Sequence, residues 1–144
     1  MGCHRVFMTL LELFTRFNGR IGRQQFWLAS LTLAVVVTLV GGILAMAFGT
    51  RVPAGTATYD LPFFFSVDYA LHGLGAVLMP VLMLCYLWAA LAVVVKRWHD
   101  RDKSGWWVLL PMIPLIGTVW AFVETGFVRG TAGANRFGPD PLGG

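Results

Sequence analysis

Three apolar runs free of formal charge, Phe26–Phe48, Leu74–Val95 and Trp106–Val123, constrain this chain more than any other feature. At about 1.5 Å of rise per residue, helices of roughly 18 to 23 residues cover about 27 to 34 Å, close to the hydrocarbon thickness of a bilayer. With 57% hydrophobic and 12% charged residues among 144, a water-facing exterior would lack polar cover. The expected fold class is therefore an all-α integral membrane protein. It forms one membrane domain over residues 1–144, with three transmembrane helices at 26–48, 74–95 and 106–123 preceded by an N-terminal amphipathic interfacial helix.

That interfacial helix is placed at residues 5–17, where Thr9, Glu12 and Arg16 recur at helical spacing among bulky apolar residues in a stretch too short to span. Asn18-Gly19 accepts left-handed backbone angles and ends it. In the first span Gly41, Ala45 and Gly49 form a shallow stripe suited to close helix contact inside the molecule. Residues 50–73, with Pro53, Gly55, Asp60, Pro62 and Asp68, form the first loop. Its apolar Leu61–Phe65 is expected to lie on the membrane surface as a short interfacial helix continuing toward Tyr69 and His72. Pro80 should bend the second span. Pro111, Pro114 and Gly117 argue against a straight third helix, because the backbone gaps they leave need neighbouring helices or water. Glu124 is expected to reach headgroup water. The Gly- and Pro-rich tail, 126–144, lacks the apolar length to cross again, and Phe137 is expected to dock its turn at the membrane surface.

Charge sets the orientation. Arg5, Arg16, Arg20 and Arg23 precede the first span, and Lys96, Arg97, Arg101 and Lys103 separate the second from the third, whereas the first loop holds Arg51 alone. The N-terminus and the 96–105 loop are thus expected to face the cytoplasm. Three crossings would put the C-terminus outside, against the pull of Arg129 and Arg136. The net charge of +4 sits beside the apolar runs, which suits anionic lipid headgroups. No basic face interleaved with stacking aromatics points to nucleic acid. Cys3 and Cys85 stand at the chain start and in mid-span, so neither a disulfide nor a paired-cysteine metal site is expected. Val6 occupies the place where an acylation signal wants Ser or Thr. Although Ala45-Met46-Ala47 resembles a cleavage site, the first apolar core exceeds the roughly 7 to 15 residues of a secretory signal and reads as an uncleaved anchor.

The densest polar segment is Lys96-Arg97-Trp98-His99-Asp100-Arg101-Asp102-Lys103-Ser104-Gly105-Trp106-Trp107. Its positive charge meets the negative end of the second helix, and Trp27, Trp98, Trp106 and Trp107 are expected interface anchors. Ser104 is placed to cap the third helix. Further motifs are Gly19-Arg20-Ile21-Gly22-Arg23 with Phe26-Trp27, then Ile113-Pro114 and Gly117, and finally Gly130-Thr131, Gly133 and Asn135-Arg136-Phe137-Gly138-Pro139-Asp140-Pro141. In this order they resemble the bacterial membrane proteins of the domain of unknown function 805 family, over most of residues 14–141. Lys96 and Trp98 depart from it, standing where the family is richer in Arg and Leu. The resemblance implies a small multi-pass protein of the bacterial cytoplasmic (inner) membrane, and it carries over no catalytic residue.

Because the first two spans form a hairpin, Arg20 and Arg23 return to the side of Arg97, His99, Asp100 and Lys103, and these six are the candidate polar site. Asp100 is expected to accept hydrogen bonds from one of the arginines, while the remaining cations attract a lipid phosphate or another anion. The expected role is non-enzymatic packing or binding. Its partners would be membrane lipids, anionic ones foremost, a second copy of the chain or another membrane protein. The alternative is a component of an oligomeric transporter or channel lined beside the Pro111–Pro114–Gly117 break. An enzyme using His99 and Asp100 is a third reading, for which the sequence supplies no nucleophile, cofactor motif or metal-ligand cluster.

Overall fold

A computed structural model describes residues 10–51, 59–61, 65–67 and 69–142. The expectations for Cys3, Arg5, Val6 and Thr9, and for Pro53, Gly55, Pro62 and Asp68, lie outside these residues. The described chain is mostly helical, and it divides into two compact units, Met1–Leu33 with Leu87–Gly144, and Ala34–Tyr86.

Two helices, α2 (Arg23–Phe48) and α3 (Leu74–Asp100), are long and apolar enough to cross a membrane. Gly22 precedes α2: its N–H donates to Gln25 Oε1 at 3.3 Å and its carbonyl accepts Phe26 N at 3.0 Å, so a side chain three positions into the helix satisfies the entering backbone. α3 runs through Pro80 and extends past the uncharged run to Asp100. Beyond the first turn of α2 the outward faces of these helices are mainly apolar, and the exposed Thr32 and Thr38 hydroxyls donate to the carbonyls of Leu28 and Ala34 in their own helix. Leu31 is 63% and Ile43 64% exposed, and Leu28, Leu39, Val77, Val81 and Leu84 are also open. A water-soluble monomer does not sustain an apolar surface of this extent, whereas hydrocarbon accepts it without cost.

In the first unit, Ile21, Phe26, Ala29 and Val93 form a buried cluster, against which Leu13, Phe14, Leu33 and Val94 pack. Leu13 and Phe14 come from the short α1 (Leu10–Thr15), which ends two residues before the close expected at 17. Lys96 reaches from α3 to the end of α1, its Nζ donating to the carbonyls of Glu12 and Leu13, both at 2.7 Å. A cation there satisfies open carbonyls and meets the negative end of the helix dipole. Phe17 packs edge-on to Trp88 at 5.0 Å, and the Trp88 indole N–H donates to Thr15 O at 3.3 Å.

The apolar run at 106–123 differs from the single through-going helix expected of it. Gly105–Met112 forms a 3-10 helix, residues 113–115 break it, and α4 (Ile116–Gly126) follows. Leu115 sits at the turn with φ of 61°, a strained conformation for a branched residue. Gly117 packs so closely on the Leu110 carbonyl and Ile113 that a β-carbon there would collide with both. The two ends of the segment lie together: Lys103 Nζ is 2.6 Å from Glu124 Oε1, and the Trp107 and Trp120 rings are 6.4 Å apart. Residues 105–126 are therefore a hairpin whose two arms start and finish at one level. Eight residues of 3-10 helix and eleven of α-helix each reach about 16 Å, half a bilayer core. Met112, Leu115 and Ile116 at its tip are exposed. Ser104 makes no side-chain cap, contrary to expectation, and its carbonyl instead accepts Trp107 N at 3.2 Å.

In the second unit the described residues of the loop after α2 form short strands, including Leu61 and Phe65 at the two ends of the stretch where a short interfacial helix was anticipated. β1 (Gly49–Arg51) pairs antiparallel with β4 (Tyr69–Leu71), with Gly49 opposite Leu71, and β2 (Tyr59–Leu61) pairs with β3 (Phe65–Val67), with Leu61 opposite Phe65. Aromatic and β-branched residues in these short segments favour strands, and nested pairing satisfies their backbone without a helical nucleus. Gly41 packs on Met79, whose terminal methyl lies 3.7 Å from where a β-carbon would stand. Gly75 allows Phe48 to approach more closely than any β-carbon would permit.

Candidate functional site

The six candidate residues separate into three environments. Asp100, Arg20 and Arg97 form a buried knot in which the Arg20 and Asp100 side chains are 1% and 4% exposed. Arg20 Nε and Nη2 donate to Asp100 Oδ1 at 3.1 and 3.0 Å, and Arg97 Nη1 donates to Asp100 Oδ2. The rest of the Arg20 fork points at the tail: Nη1 donates to the carbonyls of Gly133 at 2.7 Å and Gly138 at 3.3 Å, and Nη2 to that of Thr131 at 2.6 Å. Arg97 Nε donates to Thr125 O at 2.6 Å, and Nη2 to Val128 O. A planar guanidinium can hold this many fixed acceptors and a lysine ammonium cannot. Gly130 lies so near Asp100 that a β-carbon would strike its carboxylate.

The tail also caps α3. Thr131 N donates to Asp100 O at 2.8 Å, and Asn135 Nδ2 donates to His99 O at 2.9 Å and to Thr131 Oγ1 at 3.0 Å. These bonds satisfy carbonyls that any helix end leaves open, and they explain why α3 continues to Asp100. His99 is stacked on Phe137, with ring centroids 3.9 Å apart and planes 5° from parallel, so Phe137 is held by protein. The His99 Nδ1 atom and the indole N–H of Trp98 are buried with no hydrogen-bond partner among the described residues. Asp140 accepts the N–H groups of Leu142 at 2.9 Å and Gly133 at 3.0 Å. The Leu142 bond, opposed by slight burial and joined by the Gly133 bond and the charges of Arg20 and Arg129, keeps its carboxyl below the usual range.

Lys103 occupies a separate cluster. Its ammonium lies 4.5 Å from the Trp107 ring centre, 5.4 Å from that of Trp98 and 6.0 Å from that of Trp120, and it pairs with Glu124. Glu124 Oε1 also accepts Arg101 Nε and Nη2, both at 3.3 Å, and Oε2 accepts the Trp120 indole N–H at 2.7 Å. Burial pushes the Glu124 carboxyl up, but the bonds from Lys103, Trp120 and Arg101 and the Lys103 charge outweigh it, leaving the group below the ordinary glutamate value. Trp98, expected at the interface, is fully buried, whereas Trp106 is 78% exposed and Trp27 42%.

Arg23 stands in the third environment. It makes no carboxylate pair among the described residues, and its Nη1 donates to the Phe127 carbonyl at 3.1 Å. Arg23 and Arg129 line one crevice of about 120 Å³ with Gln24, Thr131, Asp140 and Leu142. Beside it runs an open groove of about 520 Å³, bounded by Arg23, Gln24, Trp27, Leu28 and Phe127. Trp27 is fixed in the groove lining by its indole N–H on Gly126 O at 3.0 Å and edge contacts to Phe122 and Phe127, both at 6.0 Å. Sequence reasoning missed Glu124 as an ion-pair centre, Thr131 and Asn135 as helix caps and Arg129 as a crevice wall. Only the polar, Gly-rich composition of the tail hinted at the last three. Among the described residues no cluster of His, Cys, Asp and Glu has the makings of a metal site.

Apolar helices open to hydrocarbon, closed at one end by a buried carboxylate–guanidinium knot, define a small helical membrane protein. The chain belongs to the family described as protein of unknown function (DUF805), whose model matches residues 14–139. It is 30% identical to inner membrane protein YhaI of Escherichia coli (strain K12) over 136 residues, 94% of this chain and 93% of that relative. Inner membrane protein YhaH of the same organism is 31% identical over 135 residues, 94% of each chain. Uncharacterized protein YiiR, also of that strain, is 27% identical over 158 residues, 92% of this chain and 90% of the relative. No solved structure matches the chain.

Proposed function

We propose that this protein is a non-enzymatic, two-crossing component of the inner membrane whose helix-end face lies at the cytoplasmic surface and binds anionic lipid. α2 and α3 cross, and the 105–126 hairpin dips into the same leaflet from which it starts. The N-terminal segment, the 96–105 turn and the tail then share one side, where Arg129 and Arg136 agree with the positive-inside rule instead of opposing it. The observation that carries the binding role is charge accounting. Arg20, Arg97, Arg101, Lys103 and Arg136 are salt-bridged to Asp100, Glu124 and Asp102, while Arg23 and Arg129 make no salt bridge among the described residues and Arg129 has the longer-range attraction of Asp140. The buried knot supports a structural role for Asp100, and His99, committed to its stack, is poorly placed for acid–base work.

Two measurements test the reading. Reporters fused after residues 102 and 144 are expected on the cytoplasmic side, with one after residue 55 on the other; opposite sides for 102 and 144 would make the hairpin a third crossing. Lipids retained by the purified chain are expected to be enriched in anionic species relative to the membrane of origin, and a retained pool with bulk composition would remove the binding role.

A further inference from the structure

We infer that the crevice and groove beside Arg23 form one site for a single anionic phospholipid, with its phosphate in the crevice and an acyl chain along the groove. This rests on the surface-binding reading above and gives it an address. The two hollows share Arg23 and Gln24, so a polar chamber opens directly onto an apolar wall. The chamber, at about 120 Å³, has the room of roughly four water molecules, enough for a headgroup phosphate and too little for a large solute. The wall is made by Trp27, Leu28 and Phe127, with Trp27 42%, Leu28 65% and Phe127 57% exposed.

Charge complementarity selects the occupant. Asp100 lines the crevice, but Arg20 and Arg97 already balance it with more than its own charge. Asp140 turns its oxygens to the N–H groups of Gly133 and Leu142. Arg129 and Arg20 also attract the Asp140 carboxylate, yet the four guanidiniums of Arg20, Arg23, Arg97 and Arg129 outnumber the carboxylates of Asp100 and Asp140, and this excess positive charge favours an anion in the crevice. A zwitterionic choline lipid brings an ammonium to the same place and gains less. Free phosphate has the right charge, yet it leaves the apolar wall uncovered.

The test is native mass spectrometry of the full chain in detergent, titrated with phosphatidylglycerol, with phosphatidylcholine of the same acyl chains, and with inorganic phosphate. One phosphatidylglycerol is expected to bind on the order of tenfold more tightly than phosphatidylcholine, because each surface guanidinium adds attraction for the net-anionic headgroup. Arg129→Gln and Arg23→Gln should each reduce that preference severalfold, while Arg136→Gln, which removes a different surface arginine, leaves it intact. The melting temperature of each variant is read in the same samples, and Arg129 is the primary test because its side chain holds nothing in place. A preference preserved in both crevice variants overturns this site but leaves general anionic binding standing. A wild-type chain with no preference overturns both. Displacement of the lipid by equimolar inorganic phosphate overturns the lipid and reassigns the crevice to a small anion.

Discussion

Asp100 and Glu124 are each clamped by two cations, yet they sit in different solvents. Asp100 is 4% exposed and its arginines also bind backbone carbonyls of the tail, whereas Glu124 is 12% exposed, its lysine and arginine are about a quarter open, and tryptophan rings close the remainder. The same ionic chemistry therefore does two jobs. Around Asp100 it welds three distant segments, because a buried charge without its partners is intolerable. Around Glu124 it tethers the foot of a hairpin with interactions that water and aromatic faces can partly replace.

The sharpest challenge to that contrast is Asp100→Asn, which leaves two buried guanidiniums facing a neutral amide. A loss of about 3 to 5 kcal/mol is expected, read as a collapse of the thermal unfolding midpoint in detergent and protease cleavage within the tail. Lys96→Met, which removes the ammonium shared by the Glu12 and Leu13 carbonyls and leaves Glu12 O with the Arg16 N–H, should cost about 1 to 3 kcal/mol and free the α1 segment to exchange its amide hydrogens. Glu124→Gln should cost about 1 kcal/mol near neutral pH. Because the Glu124 carboxyl titrates lower when folded than unfolded, its contribution is complete above the ordinary glutamate value and is lost as the pH falls through the folded one. The gap in unfolding midpoint between wild type and Glu124→Gln should accordingly shrink between about pH 6 and pH 3; a constant gap would mean that the hairpin foot does not depend on that charge. Smallest of all is Arg136→Gln. The Arg136–Asp102 pair is 60% and 48% exposed, so a change under about 0.5 kcal/mol is expected, and a large one would break the rule that exposure sets the weight of these pairs.

How much of this could be read from residues alone depends on what each contact recognises. Length and hydropathy placed α2 and α3 within a few residues, and the hairpin argument placed Arg20 and Arg97 beside Asp100. The run at 106–123 is as apolar as the other two, and its fate turned on Pro111, Pro114 and a glycine needed for the 110–117 contact, which together favour folding back over continuing. The strands after α2 were hidden because their ladders depend on pairing across the loop, beyond the local pattern of either segment. The tail was hardest. Its carbonyls at Thr131, Gly133 and Gly138 are the acceptors for Arg20, and a carbonyl carries no residue identity for a motif to display.

The Arg20 fork has an implication for biogenesis. Its carboxylate acceptor lies 80 positions downstream and its carbonyl acceptors 111 to 118, so the guanidinium is not fully paired until Thr131, Gly133 and Gly138 have been synthesised. Until then the nascent chain carries that arginine incompletely bonded at the bilayer edge, and the segment from Thr131 to Gly138 acts as a latch. A chain cut short before Thr131 cannot close that latch, and its Arg20 is left without the tail carbonyls that hold it.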